Sequence, residues 1–342
     1  MESSDLHGFS PDILDRLDAL VELIQKHQRF LLTTHRDPDG DGLGAEAALA
    51  AGLQQLGKTV VVLNDEATPA QYEFLDREGL FRRYQPSRHR ELVATNEVAV
   101  LLDAGRLERM GSPGRGLAKF KGRTVVLDHH PGGGWADIEV VEPEACSTTE
   151  LVYLLLERLG LEVTASMADA LLTGVLVDTD GFRNLNATPR AHRLAARLIE
   201  LGADAQRVRE AVFASWPLAR FRLQADFSRS LHTGHRGRLV WGVVDRESLK
   251  RWRQTPAAVE GFVEYSLAVR GTELSVLFLE EAEGVVRVSF RSRGQVRVDG
   301  LARALGGGGH QKAAGARVEG SLPAVRRRVL SEVAKLLGPT DS

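Results

Sequence analysis

One cysteine, Cys146, is all that a chain of 342 residues contains. A single thiol excludes an internal disulfide and any cysteine-based zinc cluster, and it fits a reducing compartment. No apolar run approaches the roughly 18 residues needed to cross a bilayer. The opening Met1-Glu2-Ser3-Ser4-Asp5 is acidic and polar, without the basic and apolar regions of a signal peptide. A cytoplasmic protein with no membrane partner is therefore expected. Net charge of one sign is also missing, since 44 Lys and Arg face 46 Asp and Glu for a formal charge of −2. Without a global basic field, long duplex nucleic acid is not expected as a partner, and any nucleic-acid substrate should be short or locally bound. Neither an internal repeat nor a low-complexity tract is present.

What is there has the profile of an ordinary soluble globular protein, 43% hydrophobic and 26% charged, and its length points to two domains. One stretch stands out, Thr34-His35-Arg36-Asp37-Pro38-Asp39-Gly40-Asp41. It follows the apolar run Phe30–Thr33 and precedes a helical reading from Gly44 to Leu56, with Gly57 as its cap. Upstream, Ile13, Leu14, Leu17, Leu20, Val21 and Ile24 mark an amphipathic helix. A strand, a turn rich in His, Asp and Gly, then a helix is how open α/β sheets build sites at strand carboxyl ends. His35, Asp39 and Asp41 offer imidazole and carboxylate donors that suit Mn²⁺ or Mg²⁺.

Three later apolar runs end in the same chemistry. Val98–Leu102 leads to Asp103, and Thr124–Leu127 leads to Asp128-His129-His130. Leu171–Val177 leads to Asp178, and its length leaves strand and helix both open. Ser147-Thr148-Thr149-Glu150 reads as a capping box opening a helix through Leu159. Any one of these Asp or His residues alone is an ordinary turn or capping residue. Four element ends carrying them amid glycine or proline are hard to obtain from capping needs alone. Residues 65–96 are placed only loosely, and 204–231 reads as a helical connector. Past Gly234, strand-like runs at Leu239–Val244, Glu264–Val269, Leu274–Leu279 and Val285–Phe290 predict a second sheet, and residues 321–337 a basic amphipathic helix. The expected organisation is α/β. A mostly parallel sheet flanked by helices occupies 12–200, a helical linker 201–233 and a smaller α+β domain 234–340, with the catalytic cleft between the two domains.

The motifs resemble those of the DHH phosphoesterase superfamily, named for a run identical to Asp128-His129-His130. The His-x-x-x-Asp-x-Asp of residues 35–41, the lone Asp103 and Asp178-Thr179 match in order. Gly307-Gly308-Gly309-His310, followed by Ala313-Ala314-Gly315, matches the DHH-associated C-terminal domain. The two-domain length is most similar to the nanoRNase and pAp-phosphatase branch.

That resemblance implies two divalent cations, Mn²⁺ with Mg²⁺ as the alternative. His35 and Asp39 would hold one, Asp41, His129 and Asp178 the other, and Asp103 would bridge them. It implies a catalytic contact from His130 to the scissile phosphate or leaving oxygen, with Asp128 orienting the loop or a histidine. Arg291, Gly307, Gly308, Gly309 and His310 would bind the substrate's far end. The implied activity is removal of mononucleotides from very short RNAs, together with dephosphorylation of 3′-phosphoadenosine 5′-phosphate. The rivals are a cyclic or linear dinucleotide phosphodiesterase, a single-strand DNA exonuclease, and a catalytically silent nucleotide-binding protein. A homodimer rests on analogy alone. Two departures from the family pattern are Asp180 where glycine is usual, expected to alter the substrate's approach or the ligands' support, and Gly42-Leu43-Gly44-Ala45 after the first turn.

Overall fold

Ser10 accepts the Ile13 N–H and Pro11 presets the first turn, so a helix, α1, runs from Pro11 to Lys26 and buries Ile13, Leu17, Leu20 and Ile24. This is a computed structural model that describes residues 8–338. The apolar run after α1 is strand β1 (Arg29–Thr33). The next helix, α2, spans Gly40–Gln55 and starts earlier than its composition suggests, because the Asp39 carboxylate accepts the N–H groups of Asp41 and Gly42. Two residues expected in a turn, Gly40 and Asp41, are thereby helical.

Strands β2 (Thr59–Asn64), β3 (Phe81–Arg83), β4 (Val98–Leu102), β5 (Arg123–Asp128) and β6 (Ile138–Val141) join β1 in one all-parallel sheet, ordered β3-β2-β1-β4-β5-β6. Short helices α3 (Pro86–Thr95) and α4 (Ser112–Leu117) precede β4 and β5. Strand order reverses between β1 and β4, and the crevice outside the strand carboxyl ends at such a point is where open α/β sheets bind ligands. His35 follows β1, Asp103 follows β4 and Asp128 ends β5.

Helix α5 (Thr148–Arg158) opens on Ser147, whose hydroxyl accepts the Glu150 N–H, and Glu150 returns the bond to Cys146 N. The run 171–177 is the last half of helix α6 (Ala165–Asp178), closed off by α7 (Pro189–Glu200) and α8 (Ala205–Phe213). Glycines let α2, α5 and α6 approach closely. A Cβ on Gly44 would stand 2.3 Å from the Ala170 carbonyl oxygen, and one on Gly174 would stand 2.4 Å from Thr149 and 2.5 Å from Asp41 Oδ1. Gly→Ala in a helix interior ordinarily stabilises by about 1 kcal/mol. Gly174→Ala is instead expected to destabilise, by about 1–3 kcal/mol, visible as a lower midpoint in thermal unfolding. A midpoint equal to or above wild type would mean that α6 can withdraw from α2 and α5 freely.

The division between the two units falls at Ser215/Trp216, inside the stretch read as a linker. Helix α8 buries Val208 and Val212 in the first core, whereas α9 (Leu218–Arg229) buries Leu223 and Phe227 in the second unit. That unit holds a mixed sheet of β7 (His232–Gly234), β8 (Leu239–Val244), β9 (Leu274–Ala282), β10 (Val285–Ser292), β11 (Gly308–Gly309) and β12 (Ala313–Glu319), ordered β11-β12-β10-β9-β8-β7. The expected strand at 264–269 is not formed. Phe262–Leu267 is a helix, numbered α11 after α10 (Arg246–Arg251), and it buries Phe262, Val263 and Ser266 at helical spacing. Helices α12 (Asp299–Ala304) and α13 (Leu322–Leu337) complete it. No helix among the described residues is long and apolar enough to cross a membrane.

Candidate metal centre

At the switch point the ligating atoms of His35, Asp39 and Asp103 lie within 4.8 Å of one another, and so do those of Asp41, His129 and Asp178. Asp103 stands at the junction. Its Oδ2 is 3.3 Å from His35 Nε2, while its Oδ1 is 3.0 Å from His130 Nδ1 and 3.7 Å from His129 Nε2. It leaves β4 with φ of +55°, a left-handed conformation that Asp tolerates better than most residues. His129 Nε2 reaches Asp178 Oδ2 at 2.8 Å and Asp41 Oδ2 at 3.8 Å, and its Nδ1 faces the Ala145 carbonyl oxygen at 3.3 Å. With Nδ1–H donated there, Nε2 is the nitrogen presented to the carboxylates. Asp128 faces the other histidine: its Oδ1 accepts the His130 backbone N–H and lies 2.9 Å from His130 Nδ1.

Asp41 and Asp103 are 0% and 2% exposed. Burial, then the charges of Asp178 and Asp103, push Asp41 well above the usual carboxylate range. Burial also opposes ionisation of Asp103, yet His130 and then His35 hold it well below that range. Burial disfavours the charged form of His35, but hydrogen bonds to Asp103 and then Asp39 outweigh it and push the imidazole up to about 10. Against the same opposition Asp103 and then Asp128 raise His130 to about 9. Among the described residues, the ion-pair partners of Asp39, Asp41, Asp103 and Asp178 are all histidines, with no lysine or arginine. Four carboxylates converging where desolvation is this strong lack a permanent counter-cation. Two divalent ions would supply it, and a donor set of carboxylate oxygens with a few imidazoles, without sulfur, fits Mn²⁺ or Mg²⁺.

Other residues here were not singled out from sequence. The first turn of α5 holds Asp41, with Thr148 N–H donating to Oδ2 at 2.6 Å and Thr149 N–H to Oδ1 at 3.0 Å; the Thr148 hydroxyl donates to Asp103 at 3.3 Å. The capping box at 147–150 announced the helix end, but nothing local announced its carboxylate partner. Asn186 donates to the carbonyl oxygens of Cys146 and Asp178, tying the loop after α6 to the start of α5. Asp180 does not add a carboxylate to either donor set. It has φ of +50°, where glycine would be favoured, and its side chain accepts from Arg183 at 2.7 Å.

In the second unit, Arg291 of β10 pairs with Ala313 of β12, and the next residue, Ala314, pairs with Gly309 on β12's other side. Arg291 thus sits across β12 from the 306–310 loop, and its Nε is 2.5 Å from Glu264 Oε1. Gly307 and Gly309 serve the sheet itself, since a Cβ on either would come within 2.6 Å of β12 backbone, whereas Gly308 faces open space.

Residues 29–175 match the DHH family, N-terminal domain, and residues 248–338 the DHHA1 domain. The chain is 32% identical to the bifunctional oligoribonuclease and PAP phosphatase NrnA of Thermus thermophilus, over 94% of this chain and 95% of that one. It is 30% identical to the cyclic-di-AMP phosphodiesterase GdpP of Geobacillus thermodenitrificans, over 88% of this chain but 46% of that protein. A crystal structure of an exopolyphosphatase-related protein from Bacteroides fragilis shares the fold, with a TM-score of 0.88 over 95% of this chain and 98% of that one at 23% identity.

Proposed function

The chain belongs to the DHH family and is a phosphoester-hydrolysing enzyme, and from that premise we propose that it degrades very short oligoribonucleotides to mononucleotides and also dephosphorylates 3′-phosphoadenosine 5′-phosphate. The observation that carries the reading is the double donor set, His35, Asp39 and Asp103 beside Asp41, His129 and Asp178, with Asp103 reached from both sides. In this reading His35 and Asp39 would hold one divalent cation, Asp41, His129 and Asp178 would hold a second, and Asp103 is placed to serve both donor sets. Cations bound there would supply a more acidic water and offset charge on the phosphoryl oxygens.

The chain's own groups do the rest. Asp128 orients His130 through two contacts, and this reading has the imidazole face a phosphate or a leaving oxygen and hold a proton there. Thr148 and Thr149 keep the Asp41 carboxylate from rotating, and Ala145 fixes which nitrogen His129 presents. This reading assigns substrate binding in the second unit to Arg291, Gly307, Gly308, Gly309 and His310, with the guanidinium fork as the phosphate donor, since the Gly307 and His310 backbone N–H groups already donate to the Ala302 and Ala313 carbonyl oxygens. A near-neutral net charge favours short substrates, since a long backbone track needs many cations. The cytoplasm is the compartment this reading assigns.

The test is turnover of labelled RNAs from a dimer to about a 24-mer with Mn²⁺, beside Asp103→Ala. Dimers to pentamers should be consumed while the longest chains persist, and the variant should be silent. Consumption of cyclic dinucleotide in preference to short RNA would favour the second reading, which the likeness to the cyclic-di-AMP enzyme supports.

A further inference from the structure

We propose that Glu46, acting through Asn64, is a positioning residue for the turn that carries His35. The inference rests on the reading of that turn as a metal-binding element. Glu46 lies on α2 with 0% exposure, one and a half turns beyond Asp41. Its Oε2 accepts from Asn64 Nδ2 at 2.8 Å, and Oε1 has no hydrogen-bond partner among the described residues. Asn64, 2% exposed, ends β2. Its Oδ1 accepts the Thr34 N–H at 3.2 Å, and its backbone carbonyl accepts the Tyr84 N–H at 2.7 Å. Thr34 immediately precedes His35, and its hydroxyl occupies the space beside Gly42, where a Cβ would come within 2.2 Å of it. A connected path therefore runs from the interior of α2, through a carboxyl and an amide, to the backbone next to the first histidine of the site.

The chemistry of the amide explains why a carboxyl is needed. An asparagine amide has one accepting end and one donating end. With an acceptor at Glu46, the NH₂ turns toward α2 and the oxygen turns toward Thr34 N–H. With an apolar residue at 46, only the Thr34 N–H is left to hold that orientation, and the buried NH₂ loses its acceptor. An apolar side chain would be easier to bury than a carboxyl. Burial pushes Glu46 up to about 8, against the bond from Asn64, which lowers it. Oε2 can accept from Asn64 whether or not Oε1 carries a proton. Glu46 is not a catalytic residue; beside a direct electrostatic attraction to His35, its positioning effect passes through Asn64.

The experiment compares wild type, Glu46→Gln, Glu46→Leu, Asn64→Leu and a His35→Ala control by calorimetric titration with Mn²⁺, alongside kcat and KM on a short RNA. Partners behind metal ligands are typically worth about 10–100-fold in metal affinity, so Glu46→Leu and Asn64→Leu should each lose roughly tenfold or more. The loss should appear in kcat with KM little changed. Glu46→Gln should remain within about threefold of wild type, because its carbonyl still accepts from Asn64. Wild-type Mn²⁺ affinity in Glu46→Leu overturns the proposal, and so does a Glu46→Gln as impaired as the leucine variant. If Glu46→Leu does not fold by circular dichroism, Asn64→Leu decides; if neither folds, the pair is structural and the proposal fails. A wild-type protein that binds no Mn²⁺, or a His35→Ala that binds as wild type does, would instead remove the metal reading on which the proposal stands.

Discussion

Asp103→Asn is expected to abolish turnover, by at least about a thousandfold in kcat, because outer partners of metal ligands alone are worth about 10–100-fold and Asp103 is placed to touch both proposed ions. Its two oxygens face four groups: His35 on Oδ2, and His130, His129 and Thr148 on Oδ1. Asparagine has the same shape and tolerates the left-handed backbone at this position. What it removes is the negative charge, and it sets an NH₂ against groups that are themselves donors. Circular dichroism and thermal unfolding of the variant should resemble wild type, while Mn²⁺ binding measured by calorimetry should fall with the activity. Retention of more than about a tenth of wild-type kcat would be incompatible with a bridging role, given the tenfold or greater effects expected even of more distant partners.

Saturating Mn²⁺ should raise the melting temperature relative to EDTA. A ligand at 100 times its Kd stabilises by about 2.7 kcal/mol, which for a unit of this size is about 5–10 °C. The physical source is the desolvation of Asp41 and the repulsion among Asp41, Asp178 and Asp103, which a cation offsets. The pH dependence has a definite sign. His35 titrates near 10 in the folded chain, against an ordinary 6.5. Its contribution to the metal-free protein is therefore fully present below pH 6.5 and is lost as pH rises toward 10. A metal must displace protons from ligand histidines, so its binding tightens over the same interval. The gap between the Mn²⁺ and EDTA melting curves should consequently be wider at pH 8 than at pH 6. Equal melting curves with and without Mn²⁺ would contradict the metal reading, and a gap that narrows with pH would contradict the protonation of the histidines.

Much of the fold can be read from local pattern. β-Branched and leucine-rich runs at 29–33, 59–64, 98–102 and 123–128 are strands because short apolar segments between turn residues bury both faces in a parallel sheet. The His and Asp residues that come together were visible for the same reason. His35, Asp103 and His129 follow β1, β4 and β5 directly, and the strand ends of such a sheet converge, whereas Asp178 ends helix α6 and is brought in by helix packing. Elements whose signal is tertiary escaped that reading. The run 171–177 is apolar on every side because α6 is covered on every side by its neighbours, so it carries no period to tell helix from strand. Phe262–Leu267 is too short for its helical spacing to outweigh its strand-like composition.

By itself, then, the sequence determined the α/β class, the four inner strands of the first sheet and the chemical identity of the cluster, since all three depend on residues adjacent in the chain. Only the tertiary structure decided that Thr148 and Thr149 hold Asp41 from more than a hundred residues away, that Asp180 turns to Arg183, and that Glu46 reaches the His35 turn through Asn64. Hydrogen bonds between distant segments depend on how the sheet and its helices pack. No spacing within one segment specifies them.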